Sequence, residues 1–188
     1  MKNVVFILIG FFFVMYSCDS TPSDNNTKNN NIKSDTLKKT LSVEDSLDFF
    51  TRQIQTNYNQ PRNWYNRAKF LIRQGDLNNA LLDMQEVISR DTTTVEYRIT
   101  YADLLLSKLE LEEATMHYKY AITADSLNPL GFLGLGRVYA YLDNPAKATF
   151  YLDRAQMINP HLAETYYLEG LIYIDDYYKT KREESWER

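Results

Sequence analysis

The sequence predicts an all-helical protein built from a repeated unit, and three observations carry that reading. Small residues recur at one interval: Ala80, Ala114 and Ala148 stand 34 apart, as do Ala68, Ala102, Gly136 and Gly170. Large residues keep the same step of 34 in Trp64, Arg98, Phe132 and Tyr166, and again in Leu71, Leu105, Tyr139 and Tyr173. The turn signal Gly75-Asp76 maps by that step to the neighbourhood of Leu109 and Asp143. A helical apolar pattern by itself repeats about every 3.6 residues. Five series agreeing on 34 therefore mark an internal repeat, and a period of that size belongs to stacked arrays.

The repeat does not begin at Met1. Met1-Lys2-Asn3 is a short basic start, Val4 to Tyr16 is an apolar run broken only by Gly10, and Ser17-Cys18 closes it. That run is short of the roughly 20 apolar residues a bilayer core requires and suits the apolar region of a signal peptide. This start resembles bacterial lipoprotein signals, which are cut before a lipid-bearing Cys. Met15 and Ser17 hold the places where that pattern has a branched apolar and a small residue. The resemblance implies a signal peptide over 1–17, lipid attachment at Cys18 and a partner in the membrane itself. The alternative is an ordinary secretory signal followed by an ordinary Cys. Because the chain has a single Cys, no disulfide forms within it.

From Asp19 to Thr40 the chain is polar, with Asn25, Asn26, Asn29, Asn30 and Asn31, and has no periodicity. Such a stretch buries too little surface to offset the entropy of ordering it. Residues 18–40 read as a flexible, lipid-anchored tether spanning on the order of 25 Å as a coil. Segment 41–60 then contains Leu47, Phe50 and Ile54 on one helical face, which suggests a lone capping helix.

The period and its chemistry resemble the tetratricopeptide repeat (TPR), over about two thirds of the chain. The resemblance implies two antiparallel helices per unit and a right-handed superhelical solenoid: full units 61–94, 95–128 and 129–162, a partial fourth at 163–188, and the N-terminal capping helix. Small residues would sit where paired helices touch. Trp64, Phe132 and Tyr166 would fill the gaps between units, facing Met84, Tyr118 and Leu152. Arg98, a charge in an aromatic place, would lay its stem on apolar surface with its head exposed. Local signals agree: Asn128-Pro129 and Asn144-Pro145 are cap-then-Pro helix starts, Gly75 a stop and Asp76 a start. In the fourth unit Arg182 stands where the small residue belongs. Residues 177–188 read either as a charged capping helix or as the end of a longer array.

In such arrays the groove is lined by the first helix of each unit. Carried residue by residue, the resemblance places Arg62, Tyr65, Lys69 and Arg73 there from the first unit, and Ile99, Asp103 and Leu106 from the second. Leu133, Arg137 and Tyr141 come from the third, and Tyr167 and Leu171 from the fourth. Tyr and Arg are common interface anchors. The aliphatic residues have an equal claim to packing. Tyr65, Tyr141 and Tyr167 are expected on the exposed side, while Tyr101, Tyr118, Tyr139 and Tyr173 fall on packing registers. Some relatives of the family clamp a terminal carboxylate with Lys and Asn; here Tyr65 and Lys69 hold those places, so that clamp is not implied.

Removing Lys2 with the signal leaves 20 basic against 25 acidic side chains, a net −5, which offers no basic face to nucleic acid. His117 and His161 are too far apart in sequence to share a helical metal site. Gly131, Gly134 and Gly136 fall mid-helix with no preceding strand and do not make a phosphate loop. Asp175-Asp176 and Glu183-Glu184 read as solvated. No cofactor, no metal and no enzyme activity is expected. Asp-Ser or Asp-Thr pairs at Asp19, Asp35, Asp45, Asp91 and Asp125 resemble O-glycosylation sites of some Gram-negative envelope proteins. The last three also suit caps and turns. The sequence thus points to a membrane-anchored adaptor of the bacterial envelope, binding protein or peptide partners. Two alternatives stand beside it: a small-ligand or glycan binder, and a structural subunit self-associating through its C-terminal edge.

Overall fold

The computed structural model describes residues 43–186, with side chains through Arg182. The expected signal peptide, Cys18 and the tether lie outside the described residues. Eight helices follow in order among those described: α1 Val43–Thr56, α2 Pro61–Gln74, α3 Leu77–Arg90, α4 Val95–Ser107, α5 Leu111–Ala124, α6 Pro129–Tyr141, α7 Pro145–Ile158 and α8 Ala163–Trp186. Leading helices α2, α4, α6 and α8 start one repeat period after another, and so do following helices α1, α3, α5 and α7.

The starts are built as the residue types require. Pro61, Pro129 and Pro145 sit in first turns, where their missing N–H costs nothing. The side chains of Asp76, Asn128 and Asn144 accept backbone N–H bonds from Asn79, Leu130 and Lys147 at 3.2, 3.0 and 3.1 Å. Each leading helix of the first three units ends in one closure. Asp76, Glu110 and Asn144 donate their N–H to the carbonyls of Leu71, Leu105 and Tyr139, at 3.0, 2.9 and 2.9 Å. The closure needs a left-handed residue one place before the donor, and Gly75, Leu109 and Asp143 supply it with positive φ. Between units, Asp91 turns the chain by accepting the N–H groups of Thr93 and Thr94 at 2.8 and 3.0 Å.

Packing follows the repeat. Ala68, Ala80, Ala102, Ala114 and Ala148 are fully buried, and Met84, Tyr118 and Leu152 are fully buried opposite them. The main core runs from Ile54 of α1 to Val138 of α6; a smaller cluster of Leu133, Leu152 and Ala155 ties in Leu168 and Ile172 of α8. The glycines of α6 permit close approach. A Cβ on Gly134 would stand 2.2 Å from the Tyr118 ring, and one on Gly136 2.6 Å from Leu152. In the first unit Arg67 forks onto the buried Asp83 through two hydrogen bonds of 2.7 and 2.6 Å.

The fourth unit departs from expectation. No turn forms at Tyr177, the place of Gly75, and α8 runs on as one helix to Trp186. No described helix pairs with its outer side. Consequently Tyr166 and Tyr173, expected to be packed, are 49% and 70% exposed, and Gly170 is not a close-packing glycine. Arg98 also differs. Its head is not free but donates to the Thr92 carbonyl at 2.8 and 3.0 Å, to Nδ1 of His117 at 3.1 Å, and lies 4.2 Å from the Tyr120 ring centre.

Candidate functional site

Leading helices α4, α6 and α8 touch in succession and Tyr65 of α2 reaches Glu96 and Tyr97 of α4, whereas following helices make no comparable contact with one another. A stack held closer on one side curves toward it, so the leading helices line the concave face. Along that face the ninth place of each unit carries Lys69, Asp103 and Arg137, with Leu171 after them.

The far half of this row is closed by its own charges. Nη1 of Arg137 donates to Asp103 at 3.0 Å, and its Nε donates to Glu164 at 2.8 Å, with Nη2 on the same carboxylate. The Tyr118 hydroxyl comes from below to donate to Asp103 at 2.7 Å. Burial pushes the Tyr118 hydroxyl well up, and Asp103 beside it adds to that. For Arg137, burial works against the charge but Asp103 and Glu164 outweigh it and the guanidinium is held above its ordinary range. At Asp103, enclosure by neighbouring helices raises the carboxyl while Arg137 and Tyr118 pull it down. Burial outweighs that pull, so the Asp103 carboxyl is held above its ordinary range, although 46% of the side chain still meets solvent.

The near half is open. Lys69 stands 3.9 Å from Glu96 and 5.1 Å from the centre of the Tyr65 ring. The Tyr65 hydroxyl donates to Glu96 at 2.7 Å and lies 3.3 Å from Thr100 Oγ1. Burial, followed by Glu96, pushes its pKa up to about 12 against the opposing hydrogen bond of Thr100. Arg62 and Arg73 are exposed and form no ion pair among the described residues. Three cations therefore face one anion here, against one cation and two anions in the far half.

Several expected groove residues are corrected by burial. Tyr65, Ile99, Leu106 and Leu133 are only 6, 5, 6 and 2% exposed. Tyr65 turns inward onto Tyr97, ring centres 4.6 Å apart, because the next unit's first turn covers it. The aliphatic three belong to the packed core rather than the open groove, as apolar side chains in a tight stack must. Arg62, Lys69, Arg73 and Tyr167 are open to solvent; Tyr141 and Leu171 are half-buried. The sequence reading missed Glu96 and Glu164, which partner Lys69 and Arg137. Stepping by 34 from Arg62 reaches Glu96, Leu130 and Glu164, and opposite charges at adjacent places would have revealed them. A shallow depression of about 580 Å³ lies elsewhere, between α5 and the end of α6, bordered by Met116, Tyr139 and Leu142.

Residues 61–94 match the tetratricopeptide repeat family. Solved structures extend the likeness to the whole array. MamA (residues 41 to the end) from Desulfovibrio magneticus RS-1 is 18% identical, with a TM-score of 0.65 over 76% of this chain and 81% of that one.

The chain folds as a TPR solenoid.

YrrB, a TPR protein with an unusual peptide-binding site, is 24% identical, with a TM-score of 0.58 over 69% of this chain and 67% of that one. PilF of Pseudomonas aeruginosa is 18% identical, with a TM-score of 0.63 over 75% of this chain and 65% of that one. No curated protein sequence matches. At these identities the likeness concerns the TPR fold. Among the described residues no helix is long and apolar enough to cross a membrane, and no group of His, Cys, Asp or Glu could hold a metal ion.

Proposed function

We propose that this TPR array is a non-catalytic adaptor whose groove binds a segment of a partner protein, held at a bacterial envelope membrane by lipid on Cys18. The observation that carries the groove reading is the division of charge along the leading helices. Arg137 is satisfied by Asp103 and Glu164, whereas Arg62 and Arg73 are exposed without an ion pair beside Lys69. The segment accordingly presents carboxylates to the first unit and lays less polar residues along Tyr141, Leu171 and Tyr167. Unpaired guanidinium groups suit carboxylates because they offer parallel donors. Anchoring rests on the sequence before and at Cys18, and placement at the outer membrane or in the periplasm follows from that reading. A second reading, sugars stacking on the groove aromatics, draws on Tyr167 being 52% exposed.

The test is crosslinking in cells with the full chain, followed by pull-down, beside an Arg62→Glu, Arg73→Glu variant. Both side chains are exposed, so the variant is expected to keep its helicity by circular dichroism. Captured partner is expected to fall about tenfold or more, corresponding to roughly 1.4 kcal/mol. Undiminished capture by a folded variant sinks the groove reading. Labelled lipid is expected on the parent and absent from Cys18→Ala. Equilibrium dialysis against envelope glycans is expected to show no uptake, and saturable uptake would favour the sugar reading.

A further inference from the structure

α1 and α8 are opposite halves of a hairpin. α1 has the length of the other following helices, and its start at Val43 lies one repeat period before Leu77. It also packs as they do: Phe50 lies 5.5 Å from Phe70 of α2, ring centre to ring centre, and Arg67 of α2 reaches Thr51 at 3.2 Å. A leading helix for it would fall at 27–40, where Ile32 and Leu37 are the only apolar residues.

α8 is the converse, a leading helix whose outer side no described helix covers. In the complete hairpins that side is closed. Ala68 and Ala102 are fully buried, Leu71 and Leu105 nearly so, and a Cβ on Gly136 would collide with Leu152 and reach the Ala148 carbonyl at 3.5 Å. On α8 a Cβ at Gly170 would meet nothing within 4 Å, and the flanking Tyr166, Tyr173 and Tyr177 are about half exposed or more, at 49, 70 and 58%.

We propose that α1 of a second copy completes the hairpin begun by α8, so that chains join head to tail. The match is one of register. Ser46 and Phe50 hold on α1 the places that Ala148 and Leu152 hold on α7, so Phe50 of the incoming copy would cover Gly170 with Ser46 beside it. Leu152, which holds this place in α7, already lies on the matching glycine within the chain, Gly136 of α6. The junction thus continues an interface the chain makes internally in each complete hairpin, with α8 meeting α2 of the second copy as α4 meets α6. The joined surfaces differ, so the association is heterologous and extends beyond two copies. An α8-to-α8 pair is the competing arrangement; it is isologous, stops at a dimer, and gives α1 no partner in the second copy.

Two singly substituted full-length chains, Ser46→Cys and Gly170→Cys, carried on different tags, test the register after co-expression and oxidation. The parent, with Cys18 alone, sets the background. A mixed disulfide dimer above that background is expected, with neither variant crosslinking to itself. Absence of the mixed species overturns the proposal, and so does a Gly170→Cys homodimer, which marks the isologous pair. Sedimentation of the purified full chain is a second readout. The parent is expected to populate species beyond the dimer as concentration rises. Gly170→Leu is expected to keep the parent's helicity and to remain monomeric. A parent that stays monomeric, or a folded Gly170→Leu that assembles as the parent does, overturns the proposal equally.

Discussion

The inner hairpins and the last helix use the same repeat places under different conditions. At Gly136 an added Cβ would strike Leu152 at 2.6 Å; at Gly170, one unit later, it would meet nothing within 4 Å. Tyr139 packs flat on Tyr151, rings 5.4 Å apart at centre and 3° from parallel, whereas Tyr173 is 70% exposed. The junction before α8 is also less complete. Where Ile54, Ile88 and Ile122 stand in earlier units Gln156 stands in α7, and its buried Nε2 has no hydrogen-bond partner among the described residues. A repeat place thus has no fixed energetic meaning, because that depends on whether the facing helix is present.

The largest test of this contrast is Arg67→Ala. It strands the Asp83 carboxylate, which is only 4% exposed. The expected cost is about 3–5 kcal/mol in chemical denaturation. Lys179→Ala removes solvent-exposed pairs with Asp143 and Asp175 near the end of the array. Its expected cost is under about 1 kcal/mol. Equal costs would erase the distinction between the regions.

Gly134→Ala comes next, with an expected loss of about 1–3 kcal/mol from overpacking against a ring that cannot move aside. Tyr118 is fully buried and its hydroxyl is fastened to Asp103. A neutral result would mean the helices slide apart easily.

His117 gives a pH test. Arginine only donates, so Nδ1 accepts from Arg98 and the proton of the neutral ring sits on Nε2. Burial first, then Arg98, holds the imidazole below its usual 6.5. As pH falls through that usual value the unfolded chain takes up the proton before the folded one. The stability contributed by the neutral ring is therefore complete above the unfolded pKa and is lost progressively below it. Denaturation midpoints at pH 7.5 and 5.5 are expected to draw closer in His117→Gln. An unchanged gap would assign the pH dependence to other groups.

The smallest effects are gains. Gln156→Ile, which restores the residue of the earlier units, is expected to add about 1 kcal/mol by removing an unpaired buried amide. Gly170→Ala is expected to add about 0.5–1 kcal/mol from helix propensity alone. Gly136→Ala, at the same repeat place, is expected to destabilise. Matching signs at the two glycines would contradict the difference in their surroundings.

Much of the fold was legible because TPR packing is local. A step of 34 located the small residues and mapped the turn at Gly75 to Leu109 and Asp143, all three left-handed in the structure, while Asn-Pro pairs and Gly75-Asp76 gave the cap residues Asp76, Asn128 and Asn144. The groove was less legible. Exposure depends on the neighbouring unit's side chains, and Tyr65 looked outward until Glu96, Thr100 and Tyr97 were seen to close over it. The Arg98 head likewise was expected to be exposed, and it instead bonds His117 and lies over Tyr120.

The sequence by itself determined the period, the helix ends and the small residues at helix crossings, since these depend on backbone chemistry and on contacts between near neighbours in the chain. Only the tertiary structure decided which groove charges neutralise one another, that Gly134 admits Tyr118, and that α8 continues through Tyr177 with one side that no described helix covers. Each of those outcomes turns on atoms brought together from different helices, or on a helix that no described residue provides, and periodicity along a chain carries no record of either.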